Sequence, residues 1–154
     1  MFAAPPHLNL VVIRSGDIDR AVTFYQMMGL VFEKHSHGSG PEHYASEVSG
    51  FVFEIYPLSE GQPPTTSTRI GFSVDDVDAI VSSLKNLGAK IVSTPKNSEW
   101  GRRAVVRDLD GHSIELITPP NRDIIAASDE TSTGLVTGSN PNGMSAGDNE
   151  RSSE

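Results

Sequence analysis

At 154 residues, with 20 acidic against 12 basic residues and a net charge of −8, the chain is long enough for one domain with a sizeable core. It offers no basic cluster of the kind that tracks phosphates, which argues against a nucleic-acid partner. The absence of cysteine excludes disulfides and thiolate chemistry, so any metal must be held by oxygen and imidazole.

Residues 1–7 have neither the basic region nor the apolar core of a signal peptide, and no apolar run is long enough to span a bilayer, so a cytoplasmic location is expected. Leu8 to Ile13 reads as a short apolar strand. Asp17 then stands where an N-cap oxygen is wanted, and Ile18, Ala21, Val22, Tyr25 and Met28 recur at helical intervals as one stripe. Gly29 marks the stop. Three strand-like segments follow, Leu30 to His35, His43 to Val48 and Phe51 to Tyr56, with Ser49-Gly50 as the turn between the last two. After the linker Gly61-Gln-Pro-Pro-Thr-Thr66 the pattern returns. A strand at Arg69 to Val74 precedes the cap Asp76, the stripe Val77, Ile80, Val81, Leu84 and Leu87, and the stop Gly88. Each stripe position is displaced by 59 residues from its counterpart. The segments Lys90 to Ser93, Arg103 to Arg107 and Ser113 to Ile117 complete the second copy, with Asp110-Gly111 in the final turn. The pattern predicts an α+β fold of two βαβββ modules in a single domain over 1–120: module one at 8–57, a linker at 58–67 and module two at 68–119. The remainder, 121–154, is rich in Ser, Thr, Gly, Asn, Asp and Glu and reads as a disordered tail. From Ala126 onward it carries about half of the net charge, since five acids there face Arg151 alone.

The strings Asp17-Ile-Asp-Arg-Ala-Val-Thr-Phe-Tyr25 with Leu30-Val-Phe32, and Arg107-Asp-Leu-Asp-Gly-His-Ser-Ile-Glu-Leu116, resemble the vicinal oxygen chelate superfamily. That group contains glyoxalase I, bleomycin-resistance proteins and extradiol dioxygenases. The resemblance spans roughly residues 8–119 and implies mixed sheets curled around a cavity, often with dimerisation. It speaks to the fold more than to the reaction. In metal-using members the ligands come from the first and last strands of each module. Glu54 and Glu115 occupy the last-strand positions here. The first-strand positions fall on Asn9 or Leu10 and on Arg69, and arginine has no lone pair for a metal.

The strand pleat adds residues to that set. A two-residue turn at Ser49-Gly50 pairs Val48 with Phe51 and Ala45 with Glu54, which brings His43, Glu54 and Tyr56 to one face. In the second module an even-numbered turn brings Arg102, Ala104 and Val106 to the face of Glu115. The expected cavity holds Asn9, His43, Glu54, Arg69, Arg102 and Glu115, with Tyr56 orienting a ligand and Trp100 closing a wall. Three readings fit these residues. In the first, Glu54 and Glu115 are internally paired with Arg69 and Arg102, and a ligand takes the remaining space. In the second, the cavity is metal-independent and takes a small anionic molecule. Asn9, Tyr56, Arg69, Arg102 and Trp100 contact it there, while His43 and Glu115 serve any catalytic proton exchange. In the third, a lyase, isomerase or dioxygenase uses His43, Glu54 and Glu115 to hold Mn²⁺, Fe²⁺, Ni²⁺ or Zn²⁺. A small-molecule ligand and a homodimer are the expected partners. His35 and His37 are read as exposed loop residues beside the cavity rim, His112 as a solvent-facing turn residue, and His7 as part of a frayed strand start.

Overall fold

In the computed structural model, which describes residues 6–120, β1 (Leu10–Ser15) turns at once into α1 (Ile18–Gln26). The Asp17 carboxylate starts the helix by accepting from the Arg20 amide at 3.0 Å, and Asp76 does the same for Ala79 at the start of α2 (Val77–Asn86). Both helices stop on a left-handed glycine, Gly29 at φ 98° and Gly88 at φ 100°. That turn lets the amide just after the glycine reach back, Leu30 to the Tyr25 carbonyl and Ala89 to that of Leu84. Residues 121–154, read above as a disordered tail, lie outside the described residues.

The remaining elements are β2 (Glu33–His35), β3 (His43–Val48), β4 (Phe51–Pro57), β5 (Arg69–Ser73), β6 (Lys90–Ser98), β7 (Gly101–Arg107) and β8 (Ser113–Thr118). They form two four-stranded sheets of the same topology, β1-β4-β3-β2 and β5-β8-β7-β6. Within each, the first and last strands of the module run parallel and the other pairs antiparallel. The second strand-like segment of module one is shorter than expected. Leu30 and Phe32 do not join the ladder; they pack against the core ahead of β2. Conversely β6 runs on past Ser93 to Ser98, its register shifting twice before Lys96. Those irregularities accommodate Pro95, which has no amide to give a regular ladder.

One side of each sheet is packed under a helix. In module one Ile13, Phe53 and Ile55 meet Ala21, Val22, Phe24 and Tyr25. In module two Ala104, Val106, Ile114 and Leu116 meet Val77, Val81 and Leu84. Each of the larger buried aliphatic and phenylalanine side chains contributes roughly 1.5–3 kcal/mol. Phe72 of β5 lies 5.7 Å from the Phe53 ring and 6.1 Å from that of Tyr25, so the modules share one core. Among the described residues no helix is long and apolar enough to cross a membrane.

The two equivalent hairpins differ in one respect that decides the site. Ser49 and Gly50, at φ 53° and 78°, make a two-residue turn, and Val48 pairs with Phe51. Between β7 and β8 the pair closing the loop is Arg107 with Ser113, leaving the five residues 108–112 between them. Asp108 shapes this loop, because its Oδ1 accepts from the amides of Asp110, Gly111 and His112 at 3.1, 2.8 and 2.8 Å. An odd number of loop residues reverses the parity expected from an even turn. Glu115 stands opposite Val105, and Ala104 and Val106 turn inward beneath the helix.

Candidate functional site

The helix-free face of the first sheet is built in rows across its strands. Val12, Glu54, Ala45 and Glu33 form one row, and Arg14, Tyr56, His43 and His35 the next. His43 is 1 % exposed, and its ring stacks on Tyr56 with centroids 4.0 Å apart. Its Nδ1 faces the Pro41 carbonyl at 3.2 Å, so this nitrogen is assigned the proton. The lone pair on Nε2 then accepts from the Tyr56 hydroxyl at 3.2 Å and points toward Glu54, 4.0 Å away. The Arg14 guanidinium caps the other side of the Tyr56 ring at 5.2 Å from its centre. A neighbouring depression of about 280 Å³ is lined by Val31, Glu33, His35, Ala45, Glu47 and Val52.

On the second sheet, alternation gives the corresponding face to Arg69 and Gly71, to Ser113 and Glu115, and to Arg103 and Val105. Glu115 Oε2 accepts from Arg103 at 2.6 Å and lies 3.8 Å from Arg69 Nη1, and the Arg69 side chain is 57 % exposed. Arg102 was expected on this face together with Arg69. It stands instead on the helix side, where its fork clasps Asp78 of α2 and Asn97 Oδ1. The odd loop is the cause. Bonding to Arg102 holds the Asp78 carboxyl below its ordinary range and the guanidinium above its own.

Two other expected contributors are not brought to the site. Asn9 precedes β1, one residue out of phase with Leu10, Val12 and Arg14, and its carbonyl accepts from the Val52 amide. Trp100 is at the tip of the β6–β7 hairpin, 61 % exposed. Of the residues singled out, His43, Glu54 and Tyr56 gather on one sheet, and Arg69 and Glu115 on the other. Arg14, His35 and Arg103 join them without having been singled out. Correct counting of the β7–β8 loop would have identified Arg103.

His112 corrects the sequence reading most strongly, because it is fully buried rather than solvent-facing. Its Nδ1 donates to Asp108 Oδ2 at 2.8 Å, and its Nε2 accepts from the Thr65 hydroxyl at 2.8 Å. Thr65 in turn accepts from the Arg14 amide. Asp108 Oδ2 also accepts from the buried Tyr25 hydroxyl at 2.7 Å, and Asp110 accepts from Ser15 at 2.5 Å and from the Gly16 amide. This chain of bonds ties the β7–β8 loop to β1, α1 and the linker. Burial alone would raise the Asp108 carboxyl, but the bonds from His112 and Tyr25 outweigh it and hold the group below its ordinary value. Burial, with the Asp108 charge beside it, pushes the Tyr25 phenol well above its ordinary value.

Two donor sets were tested against a divalent ion. Asp108, Asp110 and His112 approach one another closely enough to share a cation. Their lone pairs, however, are spent on loop amides, Tyr25, Ser15 and Thr65, so the set serves the loop and does not fit a metal. The first- and last-strand positions do not fit one either. Leu10 and Arg69 have no lone pair to offer, and Glu115 is held by guanidinium.

Residues 7–116 match the model of the Glyoxalase/Bleomycin resistance protein/Dioxygenase superfamily. A lactoylglutathione lyase of Arabidopsis thaliana is 31 % identical over 124 residues, covering 70 % of this chain and 42 % of that enzyme, so the chain spans under half of its length. An uncharacterized protein of Mycolicibacterium smegmatis is 26 % identical over 75 % of this chain and 96 % of its own. Among solved structures, TnmS3, an antibiotic binding protein from Streptomyces sp. CB03234, superimposes with a TM-score of 0.62 at 27 % identity, covering 77 % of this chain and all of that one. With the repeated βαβββ topology, these likenesses establish that the chain belongs to the glyoxalase/bleomycin resistance protein/dioxygenase superfamily.

Proposed function

We propose that this chain binds a small anionic molecule on the helix-free faces of its sheets, without a metal at the glutamate positions. The observation that carries the reading is the charge arrangement at Glu115. Two guanidinium groups share this one carboxylate, and the more exposed of them, Arg69, keeps donors for a ligand. A carboxylate or phosphate would take the Arg69 fork in a bidentate contact. His43, with its lone pair directed toward Tyr56 and Glu54, is the group available for proton exchange if the bound molecule is also transformed. Leu10, Val12 and Val31 are exposed apolar residues of module one, suited to an apolar ligand body or to a second copy of the chain roofing the face. The similarity to an antibiotic-binding protein supports sequestration as the biological use.

A second reading rests on Glu54, which faces His43 and no guanidinium partner within 4 Å among the described residues. It makes the chain a divalent-metal lyase, isomerase or dioxygenase, consistent with the likeness to a lactoylglutathione lyase, but Glu115 must first leave Arg103.

Thermal melts with a panel of small carboxylates and phosphates, in the presence of a chelator, separate the two. Expected is a ligand that stabilises the wild type and not Arg69→Ala. The substitution itself costs under about 1 kcal/mol, since the pair is exposed. Stabilisation that appears only when Mn²⁺, Fe²⁺, Ni²⁺ or Zn²⁺ is added would reject the metal-independent reading.

A further inference from the structure

A second cavity lies on the core-facing side of the first sheet, past the end of α1. It measures about 350 Å³ and is walled by residues 28–30, by the core-facing side of the β3–β4 hairpin and by Ile70 to Ser73 of β5. Small-molecule sites run from roughly 300 to 1,000 Å³. The cavity shares no lining residue with the depression beside His35. Phe51, Phe53 and Phe72 give it an aromatic wall, and none of its lining side chains is ionisable. A charged ligand would lose its hydration there without meeting a counter-charge, so the cavity suits a neutral one.

Two sets of unspent polar groups adjoin this apolar space. Ser46 lines it from β3 and is 3 % exposed, and its Oγ is the one buried side-chain nitrogen or oxygen among the described residues that lacks a hydrogen-bond partner. A hydroxyl buried in that way costs stability until something bonds to it. The other set is the free edge of β5. The Thr68 carbonyl accepts from the Ser113 amide at 3.2 Å, and the Val74 amide donates to the Ile117 carbonyl at 2.8 Å, so the even-numbered positions turn toward β8. Alternation along the strand sends the N–H and C=O of Gly71 and Ser73 the other way, and both residues are exposed parts of the cavity wall. An apolar wall with a few donors and acceptors left over is the composition of a small-molecule site.

We propose that this cavity binds a neutral, largely aromatic small molecule whose hydrogen-bonding group meets the Ser46 hydroxyl beside the free edge at Gly71 and Ser73. The three phenylalanines supply the apolar part of the affinity, and Ser46 fixes the orientation. The site lies away from the helix-free faces and uses neither Arg69 nor Glu115, so it stands or falls independently of the anion-binding reading.

The test is fluorescence titration of the full chain with N-phenyl-1-naphthylamine, a neutral probe that brightens in apolar surroundings and carries one N–H. Its competitor is 1-benzylnaphthalene, in which CH₂ replaces that N–H. One equivalent of the amine is expected to bind. In Ser46→Ala the preference for the amine over the hydrocarbon should fall roughly threefold to tenfold, the range of one net hydrogen bond. The same variant, free of ligand, should melt no lower than the wild type, because its hydroxyl has no partner to lose. Val48→Asp, at a 62 % exposed position of the cavity wall, should weaken both compounds at least about tenfold by placing a charge at the mouth. Arg69→Ala should leave both affinities unchanged. The proposal is overturned if the wild type does not bind the amine, if Ser46→Ala keeps the full preference, or if Val48→Asp binds as tightly as the wild type. It is also overturned if diluting the protein tightens binding, since a second copy of the chain would then be covering the cavity.

Discussion

The hairpins that close the two modules occupy equivalent places and do different work. The Ser49-Gly50 turn is minimal, two left-handed residues with no partner elsewhere, and it sets only the register of β3 against β4. The 108–112 loop sets the register of β7 against β8 and also grips the other module, through Asp108 to Tyr25 and Asp110 to Ser15, and the linker, through His112 to Thr65. A duplicated unit can thus keep its topology while one copy takes on the joining of the two. The joining loop also decides which arginine meets Glu115.

This contrast predicts unequal sensitivity to mutation. Asp108→Ala leaves three loop amides, the Tyr25 hydroxyl and His112 without their acceptor in a buried place. A loss of about 3–5 kcal/mol is expected in chemical denaturation, and a loss under about 1 kcal/mol would mean that the loop does not hold the modules. The next largest effect is on acid stability. The folded carboxyl of Asp108 titrates below its unfolded value of about 3.9, so its contribution is complete above that pH and disappears as pH falls through the lower folded value. Asp108→Asn, which cannot ionise, should lose stability less steeply below about pH 4 than the wild type. Equal slopes would remove Asp108 from the acid response. The smallest effect belongs to the other hairpin. Ser49→Asn places a residue that tolerates the left-handed region at φ 53°, and a gain of a few tenths of a kcal/mol in the unfolding free energy is expected.

Local chemistry made much of this architecture legible in the sequence. The helices, their Asp17 and Asp76 caps and their Gly29 and Gly88 stops depend on residues within a turn of one another. The grouping of His43, Glu54 and Tyr56 followed from a turn whose length was plain. What escaped were the features set by distant partners. Asp108 gathers the amides of its own loop only because Tyr25 and His112 hold its carboxylate in place. The resulting odd count exchanged Arg102 for Arg103. His112 follows an Asp-Gly pair that ordinarily lies in solvent, and its burial depends on Thr65, 47 residues earlier. The placing of His35 opposite His43 depends on the register of the short β2, which the sequence pattern had drawn longer.

The irregular β6 has a consequence for how copies of this protein can meet. An edge strand with a regular ladder invites a neighbour to extend the sheet. Here β6 carries two register shifts, Pro95 and flanking lysines at 90 and 96, and the opposite edge of the other sheet is the three-residue β2. Neither offers a continuous row of amides and carbonyls, so fibre-like growth through those edges is blocked. The regular edges left among the described residues are β1 and β5, each paired on one side only.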